Sequence, residues 1–249
     1  MFKIKKSIKK VMIMGFSLAM LCSMSPIGIH AQENDGLSKE ELALLDELYE
    51  INPDFTYEGE LVSITEEIQV METAEDRFNS GNLLERGAIG DNYMSIIVAT
   101  SNISDSQYDR FQITATAEWK MVPAFRMQDA FAIAWGKEFA LKSQSIQASY
   151  KGMGVIEGKT SQVTNAPNAG IGYSVEASHY WGQALDWVTI QAEIEQTNSS
   201  GVANVSAAYC HRKASFGGVD IGFGGDNAGI SFSVTGASDT MANYTTFYY

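Results

Sequence analysis

Reactive and cross-linking residues are scarce in this chain. Its 249 residues include two cysteines, three histidines and four prolines, and 17 basic residues stand against 30 acidic ones. Each shortage excludes something. Cys22 lies in an apolar leader, so removal of that leader leaves Cys210 alone and no internal disulfide can form. No His/Cys spacing suits a structural zinc. The deficit of lysine and arginine excludes a nucleic-acid partner, because phosphate binding needs clustered positive charge. No Gly-x-Ser-x-Gly elbow is present. "GMGVIEGKT" (Gly152–Thr160) mimics a phosphate loop, but the glycine that must precede Gly158 falls on Met153. The residues after Thr160, "SQVTNAPNAGIG", read as loop rather than helix.

Long apolar runs are also missing, apart from one. "MFKIKKSIKK" carries five lysines, "VMIMGFSLAMLCSM" is apolar and short, and "SPIGIHA" ends on Ala31. That order is a secretory signal peptide over 1–31, too short for a lasting membrane anchor. Leu21 before Cys22 is too bulky for a lipoprotein site. Cleavage removes five bases and no acid, leaving 12 bases against 30 acids, a formal charge of −18. An extracellular protein of a Gram-positive bacterium is expected.

The acids are unevenly placed. Fifteen fall between Glu33 and Asp76 with Lys39 as the sole base; from Arg77 onward there are 15 acids and 11 bases. Residues 32–90 are therefore expected as an acidic, partly helical segment and linker, removable as a propeptide. "SKEE" (Ser38–Glu41) is a capping box, and Leu42, Leu45, Leu48 and Tyr49 come after it at helical spacing until "NPD". "LVSITEEIQV" fits either a second helix or a strand.

Residues 91–249 alternate with period two. "RFQITATAEWKM" sets Phe111, Ile113 and Trp119 opposite a polar face, predicting a strand with one wet side. "FAIAWG" is apolar on both faces, hence a central strand, with Trp135 in the core. "WVTIQAEIEQT" and "VANVSAAYCH" are predicted to form a hairpin around "NSSG". "VDIGF" and "ISFSV" are predicted to form another around "GGDNAG". Eight to ten such strands predict a mainly β fold, an antiparallel β-sandwich or partly open barrel behind a short acidic helix.

The alternation also points to candidate sites. Cys210 and His211 point to opposite faces, so no thiol–imidazole dyad is expected and Cys210 should pack as an apolar group. Glu193 and Glu195 share a face. "EIEQTN" resembles in outline the catalytic strand of jelly-roll glucanases, but Asn198 stands where the closing acid belongs, so catalysis is not expected. Gly222, Gly224 and Asp226 form one copy of a calcium repeat that binds only in tandem. No cofactor is expected, with surface calcium left open. Trp187 falls on the polar face of its strand with Glu193 and Glu195, and Tyr180 and Trp181 sit in a nearby loop. Tyr180, Trp181, Trp187, Glu193 and Glu195 are thus the expected ligand-binding residues. The expected function is a secreted binding protein for a glycan, cell-wall polymer or protein. The alternative is a pore-forming or bacteriocin-like toxin with an acidic propeptide, its inserting hairpin being "VDIGFGGDNAGISFSVTG".

Overall fold

A computed structural model describes residues 37–53, 58–70, 93–120, 122, 127–179, 182–197, 201–213, 218–224 and 227–249. The fold is mainly antiparallel β, two sheets in a sandwich, with one helix ahead of the strands. The helix α1 (Lys39–Ile51) starts where the capping box places it. Ser38 Oγ accepts from Glu41 N at 3.1 Å while Glu41 Oε2 accepts from Ser38 N at 2.7 Å. Asn52 caps its end through N–H to Leu48 O.

The first sheet has the order β1 (Glu60–Val70), β2 (Tyr93–Asn102), β3 (Arg110–Trp119), β9 (Leu185–Gln196), β5 (Phe139–Tyr150) and β6 (Gly154–Val155). The second runs β13 (Ser238–Tyr248), β10 (Val202–Arg212), β4 (Gln128–Trp135), β8 (Gly170–Glu176) and β7 (Thr160–Ala166). Every pairing is antiparallel. β1 resolves the ambiguity of "LVSITEEIQV" as a strand; it belongs to the first sheet although it precedes residue 91. Between the sheets lies one core, built from Ile96, Ile113, Trp119 and Ile190 on one side and Phe131, Trp135, Tyr209 and Phe247 on the other.

β4 is central and buried on both faces, as its composition demanded. Three expectations fail. β9 and β10 are not a hairpin: β9 pairs with β3 and β5 while β10 pairs with β4 and β13, so the chain crosses between sheets there. Sequence alternation names the faces of a strand but not its neighbour. "SQVTNA", read as loop, is the edge strand β7. β3 has no wet side along its middle, since Thr114 and Thr116 are buried on the face that α1 crosses, and the Thr116 and Thr189 hydroxyls meet at 2.8 Å.

The predicted hairpin of β11 (Val219–Gly224) and β12 (Gly229–Val234) forms, as a separate two-stranded sheet. It lies on the outer face of the second sheet, where small residues leave a trough. Val219 and Ile221 pack on Ala130, Ala132 and Cys210, with Phe223, Ile230, Phe232 and Val234 around them. Cys210 thus serves as the small apolar group expected. A Cβ on Gly172 would stand 2.5 Å from Ile221 Cδ1, and one on Gly170 would stand 2.6 Å from the Phe223 ring. Gly172→Val should therefore lift the hairpin. The expected loss is about 1–3 kcal/mol, typical of overpacking, with faster amide exchange confined to β11 and β12. Unchanged protection there would show that the hairpin does not depend on this close approach.

Candidate binding site

Of the expected ligand residues, Tyr180 and Trp181 lie outside the described residues, and Trp187 does not share a site with Glu193 and Glu195. Trp187 lies near the start of β9 at Leu185, and Glu193 and Glu195 lie near its end at Gln196. Eight residues separate Trp187 from Glu195, or about 26 Å of extended strand. Sharing a face does not make residues neighbours.

Trp187 requires a correction. It does fall on the outer face, but only 6% of it is exposed. Leu45, Leu48 and Ile51 of α1 cover it, together with Leu61, Ile64, Ile97 and Ala99 of the sheet. The helical stripe and the outer-facing tryptophan satisfy each other. Asn52 Nδ2 donates to Gln147 Oε1 at 3.0 Å, tying the helix end to β5.

Beside this contact is an acidic cleft of about 450 Å³, lined by Asp46, Glu47 and Glu50 of α1 and by Glu118 and Lys120. Lys120 Nζ lies 3.2 Å from Glu47 and also pairs with Glu118. Nearby on β1, burial and then the Glu47 charge push the Glu66 carboxyl from 4.5 up to about 7, against the opposing pull of Lys120. Burial likewise raises Glu118. A carboxyl raised on folding holds its proton more tightly folded than unfolded. The contribution of Glu66 to stability is therefore highest below about pH 4.5, falls as pH rises towards 7, and levels beyond. Glu66→Gln should flatten that fall and stabilise the protein at pH 8 by about 1–2 kcal/mol, a figure reduced for the solvent still reaching the group. Urea unfolding of both proteins at pH 5 and pH 8 measures it; equal stability at pH 8 would refute it.

Glu193 and Glu195 meet a different partner. Arg110 Nε donates to Glu195 Oε2 at 2.9 Å, and Arg110 Nη1 lies 3.3 Å from Glu193 Oε1. The Arg110 guanidinium lies 4.9 Å from the centroid of the Tyr108 ring. Lys142 Nζ reaches Glu195 Oε1 at 3.0 Å, and Ser143 Oγ donates to Glu193 Oε2 at 3.2 Å. Cross-strand register explains the cluster, for Arg110 faces Glu195 on β3–β9 and Ser143 faces Glu193 on β5–β9. The Lys142 ammonium first, and then Arg110, hold the Glu195 carboxyl below its usual range. Both acids are charge-paired hydrogen-bond acceptors. An aromatic ring, a guanidinium and two carboxylates thus share one partly exposed patch.

A further polar group was invisible in the sequence. Asp129 on β4 is wholly buried. Its Oδ2 accepts from Tyr209 Oη at 2.8 Å and lies 2.9 Å from His211 Nδ1, while Oδ1 accepts from Arg212 N at 2.9 Å. Trp119 closes over this group, edge-on to His211 with centroids 4.9 Å apart. His211 thus faces inward and Cys210 outward, on opposite faces as strand geometry requires.

Among the described residues no group of three His, Cys, Asp or Glu side chains is placed to hold a metal. No described helix is long and apolar enough to cross a membrane. No protein-family model matches the chain, and no curated protein does. Among solved structures, the N-terminal domain of the Streptococcus gordonii adhesin Sgo0707 is similar at 8% identity. That match has a TM-score of 0.33 and covers 56% of this chain and 28% of that one. The KRT10-binding region domain of the pneumococcal serine rich repeat protein PsrP is similar at 7% identity and TM-score 0.26, over 59% and 87%. A pore forming protein is similar at 5% identity and TM-score 0.37, over 77% of this chain and 100% of that one. Likenesses of this size assign the chain to no family.

Proposed function

We propose that the protein is an exported binding module that docks a glycan, cell-wall polymer or protein through groups displayed on a rigid sandwich. The observation that carries this reading is the patch of Tyr108, Arg110, Glu193 and Glu195, in which an aromatic ring and a charged hydrogen-bonding array are held in place by cross-strand pairs. Such a patch offers stacking and fixed donors and acceptors without needing to move. Tyr180 and Trp181, five and four residues ahead of β9 in the sequence, are further candidates for ligand contact. Trp187, beneath α1, supports the sheet.

Co-sedimentation with purified Gram-positive cell walls tests the reading. The chain is expected to pellet saturably, and Arg110→Ala is expected to weaken that binding roughly tenfold, about 1.4 kcal/mol. Absence of saturable pelleting, or an Arg110→Ala variant that pellets like the parent, would remove the reading.

One observation favours the second reading, a pore-forming toxin. The hairpin β11–β12 is a discrete unit whose apolar side is tucked against the sheet and whose other side carries Asp220, Ser231 and Ser233. Its strands are six residues each, shorter than the 9–11 a membrane-spanning strand needs. The whole insertion between β10 and β13, from Lys213 to Ala237, is 25 residues, enough for two such arms and a turn. Dye release from liposomes by the chain, abolished by Phe232→Asp, is the outcome that would put this reading first.

A further inference from the structure

The outer face of the β10–β13 pair carries a second surface. In β13 every other residue points outward, and two of these are tyrosines: Tyr244 is 74% exposed and Tyr248 is 81% exposed. They are the two most exposed large apolar-bodied side chains among the described residues. Four residues of strand put their Cα atoms about 13 Å apart on one line. The register then fixes what surrounds them. Val202 lies opposite Tyr248, Asn204 opposite Thr246, and Ser206 opposite Tyr244. Thr246 Oγ1 donates to Asn204 Oδ1 at 2.9 Å, so the two side chains form one hydrogen-bonded unit between the rings, with the Asn204 amide N–H groups free to turn outward.

Charge singles this face out. From Val202 to Cys210 and from Thr240 to Tyr248, no outward position of the two strands is acidic or basic. The chain as a whole carries 30 acids. An uncharged strip on so acidic a protein neither attracts cations nor neutralises anions. Beyond Ser206, whose hydroxyl donates to Ala228 O of the hairpin loop, the tucked hairpin takes over the sheet surface. The strip is thus bounded on one side.

We infer that the Tyr244–Tyr248 strip binds an uncharged polysaccharide chain. The two rings stack against the C–H faces of sugar units, and the Asn204–Thr246 pair hydrogen-bonds the hydroxyls of the stretch between them. A line of ring, hydrogen-bonding pair and ring matches the repeat of such a polymer, flat apolar faces alternating with hydroxyl edges. The lack of charge selects neutral polymers over anionic ones. This surface is on the opposite sheet from Arg110 and does not depend on that patch.

The test is depletion of the full chain from solution by microcrystalline cellulose and by chitin, with phosphocellulose as the anionic counterpart. Saturable binding to cellulose or chitin, weaker on phosphocellulose, is expected. The double variant Tyr244→Ala, Tyr248→Ala should weaken it roughly tenfold, about 1.4 kcal/mol. The variant Tyr244→Trp, Tyr248→Trp should retain it. Both positions are exposed, so thermal unfolding should be unchanged in all three proteins. The inference falls if neither neutral polymer depletes the chain, if the alanine variant binds like the parent, or if phosphocellulose is preferred. Arg110→Ala separates the two surfaces. It should leave cellulose and chitin binding intact, so wall binding lost in that variant bears on the Arg110 patch alone, and wall binding lost only in the tyrosine variant bears on this strip.

Discussion

Asp129→Ala should cost about 3–5 kcal/mol of folding free energy, the largest loss expected of any single substitution in this chain. Three donors converge on that carboxylate: the Tyr209 hydroxyl, the His211 ring and the Arg212 amide. Alanine strands all of them in a site with almost no access to water, since Tyr209, His211 and Arg212 are each at most 3% exposed. Each stranded donor costs about 1–3 kcal/mol, though partial relaxation keeps the sum below the simple total. Tyr209→Phe removes one donor and leaves the carboxylate with two, so it should cost only about 1 kcal/mol. Urea denaturation of the three proteins reads these differences directly. A loss below about 1.5 kcal/mol for Asp129→Ala would mean that water reaches the group or that the strands re-pair around it.

The second large effect is expected at Leu48. It is 1% exposed and sits at the middle of the contact between α1 and the first sheet, against Trp187, Ile97 and Ala99. Leu48→Ala should cost about 2–5 kcal/mol, and its signature should be local. Trp187 gains water when the helix loosens, so tryptophan emission should shift to longer wavelength, while Trp119 and Trp135 stay within the sandwich core. A destabilised variant with unshifted emission would place the loss elsewhere than at the helix–sheet contact. A shift with little loss of stability would show that the sandwich holds without α1.

These two sites mark where sequence reading succeeds and where it stops. Local rules were sufficient for α1, whose capping serine, glutamate and leucine stripe all lie within fourteen residues. They were sufficient also for β11–β12, where two alternating runs flank a short glycine-rich loop, and for β4, apolar on both faces. The face of Trp187 was legible, but what covers that face was not, because the covering leucines lie about 140 residues upstream and bear their own separate periodicity. Asp129 gave no signal at all. Its partners stand 80 to 83 residues away, and a single aspartate ahead of an apolar run looks like any strand start. Of the candidate ligand groups, Glu193 and Glu195 were found by their spacing. Arg110 and Tyr108 were missed because only cross-strand register brings them there. The tyrosines of β13 were visible in "NYTTFYY", yet which half of the alternation faces out depends on the neighbouring strand.

The edge strands β1 and β13 are also joined to each other. Asn243 Nδ2 donates to both Thr65 O and Ile96 O at 2.9 Å, and Thr65 Oγ1 donates to Tyr244 O at 3.2 Å, joining residues up to 179 positions apart. The earliest strand of the sandwich is therefore fastened by the last one. A chain emerging N-terminus first, from a ribosome or through a translocation channel, can zip neighbouring strands as they arrive, but β1 waits for its final seam until β13 is delivered. Ordering so long a loop is slow, and until then the strand edges stand open to other chains. Delivery of β13, rather than of any earlier strand, sets the moment at which the β1 and β13 edges cover each other.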